Sequence, residues 1–140
     1  MDQKQKVRDL MFRTEMARKQ RLHPIWNEMG LIAGQPRVLS QLLIRDHETQ
    51  KELADACCIE PATLSRALDK LESMGYISRN DNPECRRSFL IALTEEGRSV
   101  AQRVCEVFRE IEGRMVTDFS EEEIGEFITL ISRMYENLRS

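Results

Sequence analysis

The stretch "TQKELADACCIEPATLSRALDKLESMG", Thr49 to Gly75, predicts two consecutive helices joined by a short turn. Thr49 and Glu52 have the spacing of a capping box, in which each side chain bonds the backbone N–H of the other residue. Pro61 suits the first turn of the second helix, where a missing N–H is tolerated. One face of that helix carries the leucines Leu64, Leu68 and Leu71. This arrangement is a helix-turn-helix.

With these leucines facing inward, the opposite arc of the second helix is polar. It holds Ala62, Thr63, Arg66, Asp69, Lys70 and Ser73, with Ser65 at its edge. Small and hydrogen-bonding side chains come first, as in a helix whose N-terminal turns approach the base edges of the DNA major groove. Arg66 is the expected base reader. The alternative is an ordinary surface helix, because any such helix has a polar outer arc.

Amphipathic helices are predicted on both sides of this stretch. A first helix runs from Val7 to Met29 and stops near Gly30, and a second begins near Pro36. Downstream, Thr94 is the expected N-cap of a long fifth helix. Ser120 and Glu123 form a second capping box before a last helix, whose apolar stripe consists of Ile124, Phe127, Ile128, Ile131, Met134, Tyr135 and Leu138.

A β-hairpin is predicted after the helix-turn-helix. The segments "YISRN" and "SFLIAL" alternate between apolar and polar residues, and the turn-forming "DNPECRR" separates them. Arg86 and Arg87 then lie near the hairpin tip, where a DNA-binding wing carries cations to the minor groove. The alternative is a solvated surface pair, or a bridge to Asp81 and Glu84.

The expected architecture is mainly α, with a winged helix-turn-helix core and a short β-hairpin wing. A single domain would cover residues 1–140, with the winged lobe at 34–97 and flanking helices at 1–33 and 98–140. The first, fifth and sixth helices carry more apolar surface than such a lobe needs for itself, so they predict an interface. A monomeric bundle is the alternative.

Charge and cysteine usage restrict the function. A net charge of −3 means that any nucleic-acid site must be local. Cys57, Cys58, Cys85 and Cys105 have no C-x-x-C spacing, so we expect ordinary thiols and no structural zinc or other cofactor. We find no signal peptide, membrane span or catalytic motif, and therefore expect a cytoplasmic protein that is not an enzyme and has no membrane partner.

The chain resembles the MarR family of transcriptional regulators over nearly its whole length. "LIAGQPRVL" is similar to the family's entry into the second helix, "TQKELADACCIEPATLSRALDKLESMGYISR" to its helix-turn-helix, and "RRSFLIALTEEG" to its wing strand and next helix start. The resemblance implies a repressor that binds a pseudo-palindromic operator as a homodimer, through its N- and C-terminal helices. In the family's Asp-x-Arg wing motif, Arg87 matches the arginine, whereas Cys85 stands at the aspartate.

The expected partners are double-stranded DNA, a second copy of the chain and a small aromatic or anionic effector. The expected DNA-binding residues are Thr49, Gln50, Pro61, Ala62, Thr63, Ser65, Arg66, Lys70, Arg86 and Arg87. For the effector, the resemblance implies a crevice beside the winged lobe, with His23, Trp26 and Arg37 as candidates, although Trp26 also fits the core and His23 a helix surface. The alternative function is a protein-interaction or architectural winged helix without sequence-specific DNA readout.

Overall fold

The computed structural model describes all residues, Met1 to Ser140, and the chain forms two compact units, Met1–Phe108 and Arg109–Ser140. Six helices and three strands follow one another as α1 (Gln3–Glu28), α2 (Gln35–Ile44), β1 (Glu48–Thr49), α3 (Gln50–Cys57), α4 (Pro61–Ser73), β2 (Ile77–Asn82), β3 (Cys85–Leu93), α5 (Glu95–Met115) and α6 (Glu121–Arg139). The mainly helical class and the winged helix-turn-helix are as predicted. None of the six helices has both the length and the apolar character that a bilayer span requires.

Helix α1 starts four residues before the predicted Val7. The Asp2 side chain accepts a hydrogen bond from the backbone N–H of Gln5, and the Gln5 side chain bonds the Asp2 backbone in return. This capping box satisfies two N–H groups that a helix start otherwise leaves without partners. The first turn is therefore stabilised by polar residues, which the search for apolar periodicity overlooked.

The helix-turn-helix forms as the sequence predicts. Thr49 and Glu52 make both bonds of the capping box at the start of α3. Cys58 ends α3 in the left-handed conformation, with φ of 52°, and Pro61 opens α4. The three predicted leucines of α4, Leu64, Leu68 and Leu71, are fully buried. Their burial fixes which arc of α4 faces outward.

The sheet has three antiparallel strands in the order β1-β3-β2, one strand more than predicted. The additional strand β1 contains only Glu48 and Thr49, which pair with Ile91 and Leu90 of β3. Such a short polar segment has no alternating pattern to detect. It joins the start of α3 to the base of the wing.

The wing turn is shorter than predicted, because only Pro83 and Glu84 separate β2 from β3. Asp81 lies opposite Phe89, but the next residue, Asn82, lies opposite Cys85. This shift leaves residues 86–88 of β3 without partners in the ladder, as a bulge. Arg86 and Arg87 therefore lie on a bulged strand and not in the turn.

The core of the first unit joins α2, α3, α4, the sheet and the first turns of α5. Its buried side chains are Leu31, Val38, Leu39, Leu42, Leu53, Ala54, Cys57, Leu64, Leu68, Leu71, Ile77, Ile91, Ala101 and Val104. Gly75 terminates α4 with φ of 82°, and a Cβ atom at Gly97 would lie 1.8 Å from the Tyr76 carbonyl oxygen. Between them, Thr94 donates to the Gly75 carbonyl and caps α5 by accepting from the Gly97 N–H, as predicted.

The second unit contains the end of α5 and the whole of α6. Ser120 and Glu123 make the predicted capping box at the start of α6. No residue of α6 is buried. The exposed large apolar residues of this unit are Met115, Val116, Phe119, Phe127, Ile128, Leu130, Ile131, Tyr135 and Leu138.

Candidate nucleic-acid interface

The outward arc of α4 displays two cations without ionic partners. Arg66 and Lys70 are exposed, lie one helical turn apart, and form no ion pair. Pro61, Ala62 and Thr63 before them are exposed as well, and Ser65 is half-buried at the edge of the arc. The two cations thus follow a stretch of small side chains, which lets a helix backbone approach a groove closely.

The start of α3 adds a polar edge. Thr49 and Gln50 are half-buried, and the Thr49 hydroxyl accepts from the Glu52 N–H at 3.1 Å. Bonds from the Thr49 backbone and hydroxyl lower the pKa of Glu52, so that carboxylate stays charged while it serves the cap. Lys51, which is exposed beside Gln50 and forms no ion pair, was not among the predicted DNA-binding residues. Its position within the predicted helix-turn-helix, next to Gln50, could have indicated it.

The wing arginines are exposed, and neither forms an ion pair. The predicted alternative, a bridge to Asp81 or Glu84, is therefore not formed. Asn82 instead orders the tip, because its side-chain carbonyl accepts from the Glu84 N–H at 3.0 Å and its amide donates to the Ser88 hydroxyl at 3.0 Å. These bonds span the bulge and leave both guanidinium groups available.

Cys85 occupies the position at which the resemblance places an aspartate. Hydrogen bonds from the Arg87 backbone N–H and the Ser88 hydroxyl stabilise its thiolate and lower the pKa of Cys85. The sulfur therefore accepts from the residue two positions ahead, as a carboxylate does in an Asx turn. Burial has the opposite effect at Cys57, where it raises the thiol pKa.

A third arginine of the hairpin is fully engaged in ion pairs. Arg79 of β2 donates to Asp69 Oδ1 at 2.9 Å and to Glu72 Oε1 at 2.8 Å, both on α4. Its side chain is only 16% exposed. This clamp escaped the sequence analysis, which assigned Asp69 to the outward arc without a partner.

The three effector candidates make separate contacts. His23 is exposed, with its Nε2 atom 3.4 Å from the Asn27 side-chain nitrogen. Trp26 packs edge-on against Phe108, with ring centroids 5.3 Å apart. Arg37 donates from Nε to the Cys57 carbonyl at 3.3 Å. No hydrogen bond, ion pair or ring contact joins any two of the three candidates.

Two buried polar side chains of the lobe were also not anticipated. Gln35 accepts from the Ile32 N–H, but its amide nitrogen has no partner. Glu48 accepts from the Gln41 amide at 2.8 Å, and its second oxygen is unpartnered. No group of three or more His, Cys, Asp or Glu side chains converges as a metal site would require.

Comparison with known proteins identifies this arrangement. The profile of the MarR family matches residues 33–89, from the start of α2 to the middle of β3. These residues of the chain therefore form a MarR-like domain. A MarR-family transcriptional regulator from Silicibacter pomeroyi is 29% identical, with a TM-score of 0.80, over 91% of this chain and 86% of that one.

Two further MarR-type structures share the fold. MepR of S. aureus, in complex with DNA, is 25% identical, with a TM-score of 0.83, over 92% of this chain and 96% of its own. A MarR-family regulator from Listeria monocytogenes, in complex with a 26mer DNA, is 23% identical, with a TM-score of 0.85, over 94% of this chain and 87% of its own. The chain thus shares its fold with these DNA-bound proteins, and its residues 33–89 match the MarR family.

Proposed function

We propose that this protein is a MarR-family repressor that binds a pseudo-palindromic operator as a homodimer. The observation that carries the proposal is a set of four exposed cations without ionic partners, Arg66 and Lys70 on α4 and Arg86 and Arg87 on the wing. They occupy the two elements of a winged helix that enter DNA grooves. The related MepR structure is a complex with DNA.

The distribution of ion pairs explains how a protein of net charge −3 can bind a polyanion. Two other arginines near the DNA-binding elements are neutralised within the fold: Arg79 by Asp69 and Glu72, and Arg98 by Asp46. These two arginines therefore add little attraction for phosphate. The positive potential concentrates where cations lack partners, so binding needs only a local excess.

The two elements divide the work. Arg66 lies in the first half of α4, and we assign it a bidentate contact to guanine O6 and N7 in the major groove. Arg87 lies on the wing bulge, suited to a minor groove whose base pattern is degenerate. We assign phosphate contacts to Thr49, Gln50, Lys51 and Lys70, and close backbone approach to Pro61, Ala62, Thr63 and Ser65. Arg86 adds a second positive charge beside Arg87.

Exposed apolar surface in both units supports the homodimer. On α1 this surface comprises Val7, Leu10, Met11, Phe12 and Met16, and on α6 it comprises Phe127, Ile128, Leu130, Ile131, Tyr135 and Leu138. Exposed apolar area of this extent marks an interaction surface. The family resemblance implies that a second copy covers it and that the dimer presents two copies of α4 to half-sites about one DNA turn apart.

We further propose that a small aromatic or anionic effector releases the DNA. The family resemblance supports this, together with the half-buried indole of Trp26 and the cation of Arg37. Trp26 is the only tryptophan of the chain, so its fluorescence reports on its surroundings without interference. Benzoate should quench Trp26 emission and weaken operator binding over the same concentration range. Quenching without weaker DNA binding would contradict an effector role.

Selection of DNA fragments from a random pool tests DNA readout directly. The purified protein should enrich one inverted repeat, and that repeat should outcompete mixed-sequence DNA at both 50 mM and 200 mM salt. An architectural or protein-binding winged helix, the second candidate, would enrich no sequence, and its DNA binding would disappear at the higher salt. The proposed role requires no catalytic chemistry and places the protein with the DNA in the cytoplasm.

A further inference from the structure

Arg79 links the wing to the recognition helix in an unusual way. Its guanidinium group holds two carboxylates of α4 at once, Asp69 at 2.9 Å and Glu72 at 2.8 Å. The two carboxylates are themselves 68% and 45% exposed. Because the Arg79 side chain is mostly covered, it is held in place and cannot itself reach DNA. Arg79, a cation on a wing strand, thus binds acidic side chains of α4 and not DNA.

One of the two carboxylates, Asp69, can compete with DNA for Arg66, the expected base reader. Asp69 follows Arg66 by three residues, and side chains at this spacing are neighbours on a helix that readily form an ion pair. In the structure Arg66 has no ion pair, and Asp69 is bound to Arg79. An Arg66 captured by Asp69 would lose both its freedom to reach a base and its charge toward phosphate.

We propose that Arg79 is a positioning residue for DNA readout: by holding Asp69, it keeps Arg66 available for a base. The inference rests on the proposed operator binding, and it adds a role that no residue of the predicted site performs. Glu72 offers a matched control. Arg79 binds it equally closely, but no cation of α4 lies three or four residues from Glu72. Only Asp69 can therefore compete for Arg66 along the helix.

The test compares Arg79→Met with two double variants, Arg79→Met/Asp69→Asn and Arg79→Met/Glu72→Gln. Each protein is assayed on the selected operator and on operators altered at single positions. Arg79→Met should lose the discrimination at one position per half-site, by roughly 5- to 140-fold, which is the 1–3 kcal/mol of a bidentate base contact. Adding Asp69→Asn should restore it, whereas adding Glu72→Gln should not, although either change lessens phosphate repulsion.

Unchanged discrimination in Arg79→Met, or equal rescue by the two double variants, would overturn the proposal. Equal rescue would mean that Arg79 acts only through overall charge. If Arg79→Met loses its helical circular dichroism signal, Arg79→Lys replaces it, since one ammonium group cannot hold two carboxylates in this geometry; the same rescue pattern is then required. A wild-type protein that selects no sequence would refute the operator binding itself, which is a separate outcome.

Discussion

Helices α4 and α6 are both amphipathic, but they end in opposite states within one chain. The apolar stripe of α4, Leu64, Leu68 and Leu71, is completely buried, so its polar arc is all that remains to contact a partner. On α6 no residue is buried, and Phe127 and Leu138 are 58% and 84% exposed. The same kind of sequence pattern therefore serves two kinds of surface, according to whether the chain covers the apolar side itself.

This difference separates two partners by their chemistry. A cationic arc over a buried stripe suits a polyanion, because the attraction comes from charges and hydrogen bonds at the surface. Removing an uncovered apolar stripe from water lowers the free energy, and this requires another apolar surface to cover it. We infer that α4 and the wing serve DNA, whereas α6 serves a second copy of the protein.

The largest expected effect comes from placing charges in the exposed apolar stripe of α6. In a Phe127→Asp/Ile131→Asp variant, two buried charges would oppose the dimer interface. The protein should sediment as a monomer. Operator binding should fall by roughly 10²- to 10⁴-fold, because the two half-sites are no longer bound together. Analytical ultracentrifugation and operator titration measure the two effects.

Arg133→Asp is the control for that variant, since at 100° per residue Arg133 lies roughly 160° from Ile131 and roughly 120° from Phe127 around α6. It should remain dimeric and bind the operator normally. A wild-type protein that is monomeric at micromolar concentration, or a monomeric double variant with full operator affinity, would contradict the assignment of α6.

The next largest effect is expected from removing Arg66 from the polar arc of α4. Arg66→Ala should cost roughly 1–3 kcal/mol on the operator and relax the selected motif at one position per half-site, because a bidentate base contact is lost. Operator selection repeated with the variant provides the measurement. Ser73→Ala, at the far end of the same arc, should leave the motif unchanged. If Arg66→Ala selects the same motif as wild type, Arg66 does not read the base and another residue must.

A smaller and less specific loss is expected at the wing. Arg87→Ala should weaken binding to many sequences alike and reduce the salt dependence of binding by about one unit, because one phosphate-facing cation is removed. The selected motif should stay the same. Titrations at several salt concentrations measure the slope, with Arg103→Ala on α5 as a control outside the site. An Arg87→Ala protein of full affinity would show that the wing does not carry this contact.

The features that the sequence predicted are those that depend on near neighbours. The capping boxes of Thr49 with Glu52 and of Ser120 with Glu123 each span three residues, and the α4 stripe repeats within one helix. Their physics is local, so a short stretch contains all the information. The polar arc of α4 followed from the stripe, because burial of one face determines the other.

The features that were missed depend on distant parts of the chain. Strand β1 exists only because Glu48 and Thr49 pair with Ile91 and Leu90 of β3, more than forty residues later. The clamp of Arg79 joins a strand to a helix, and the bulge at residues 86–88 depends on the register between two strands. None of these has a periodicity, so only the folded chain reveals them.

The smallest expected effect concerns Cys85, an exposed thiol of the wing. Its pKa lies below the ordinary value of 9.0, because the Arg87 N–H and the Ser88 hydroxyl stabilise the thiolate. As pH rises through that lowered pKa, a negative charge forms beside Arg87 and repels phosphate. Operator affinity should therefore fall slightly more steeply in this window for wild type than for Cys85→Ser.

Alkylation by iodoacetamide, followed by peptide mass spectrometry, measures the same ionisation directly. The reaction of Cys85 should reach half its maximal rate below pH 9, and Ser88→Ala should move that midpoint upward by removing one donor to the sulfur. Cys57 is the internal control, since burial raises its pKa and should make it react last. A Cys85 midpoint at or above pH 9, or identical pH profiles of DNA binding in wild type and Cys85→Ser, would show that the wing thiol contributes no charge to the DNA-facing surface.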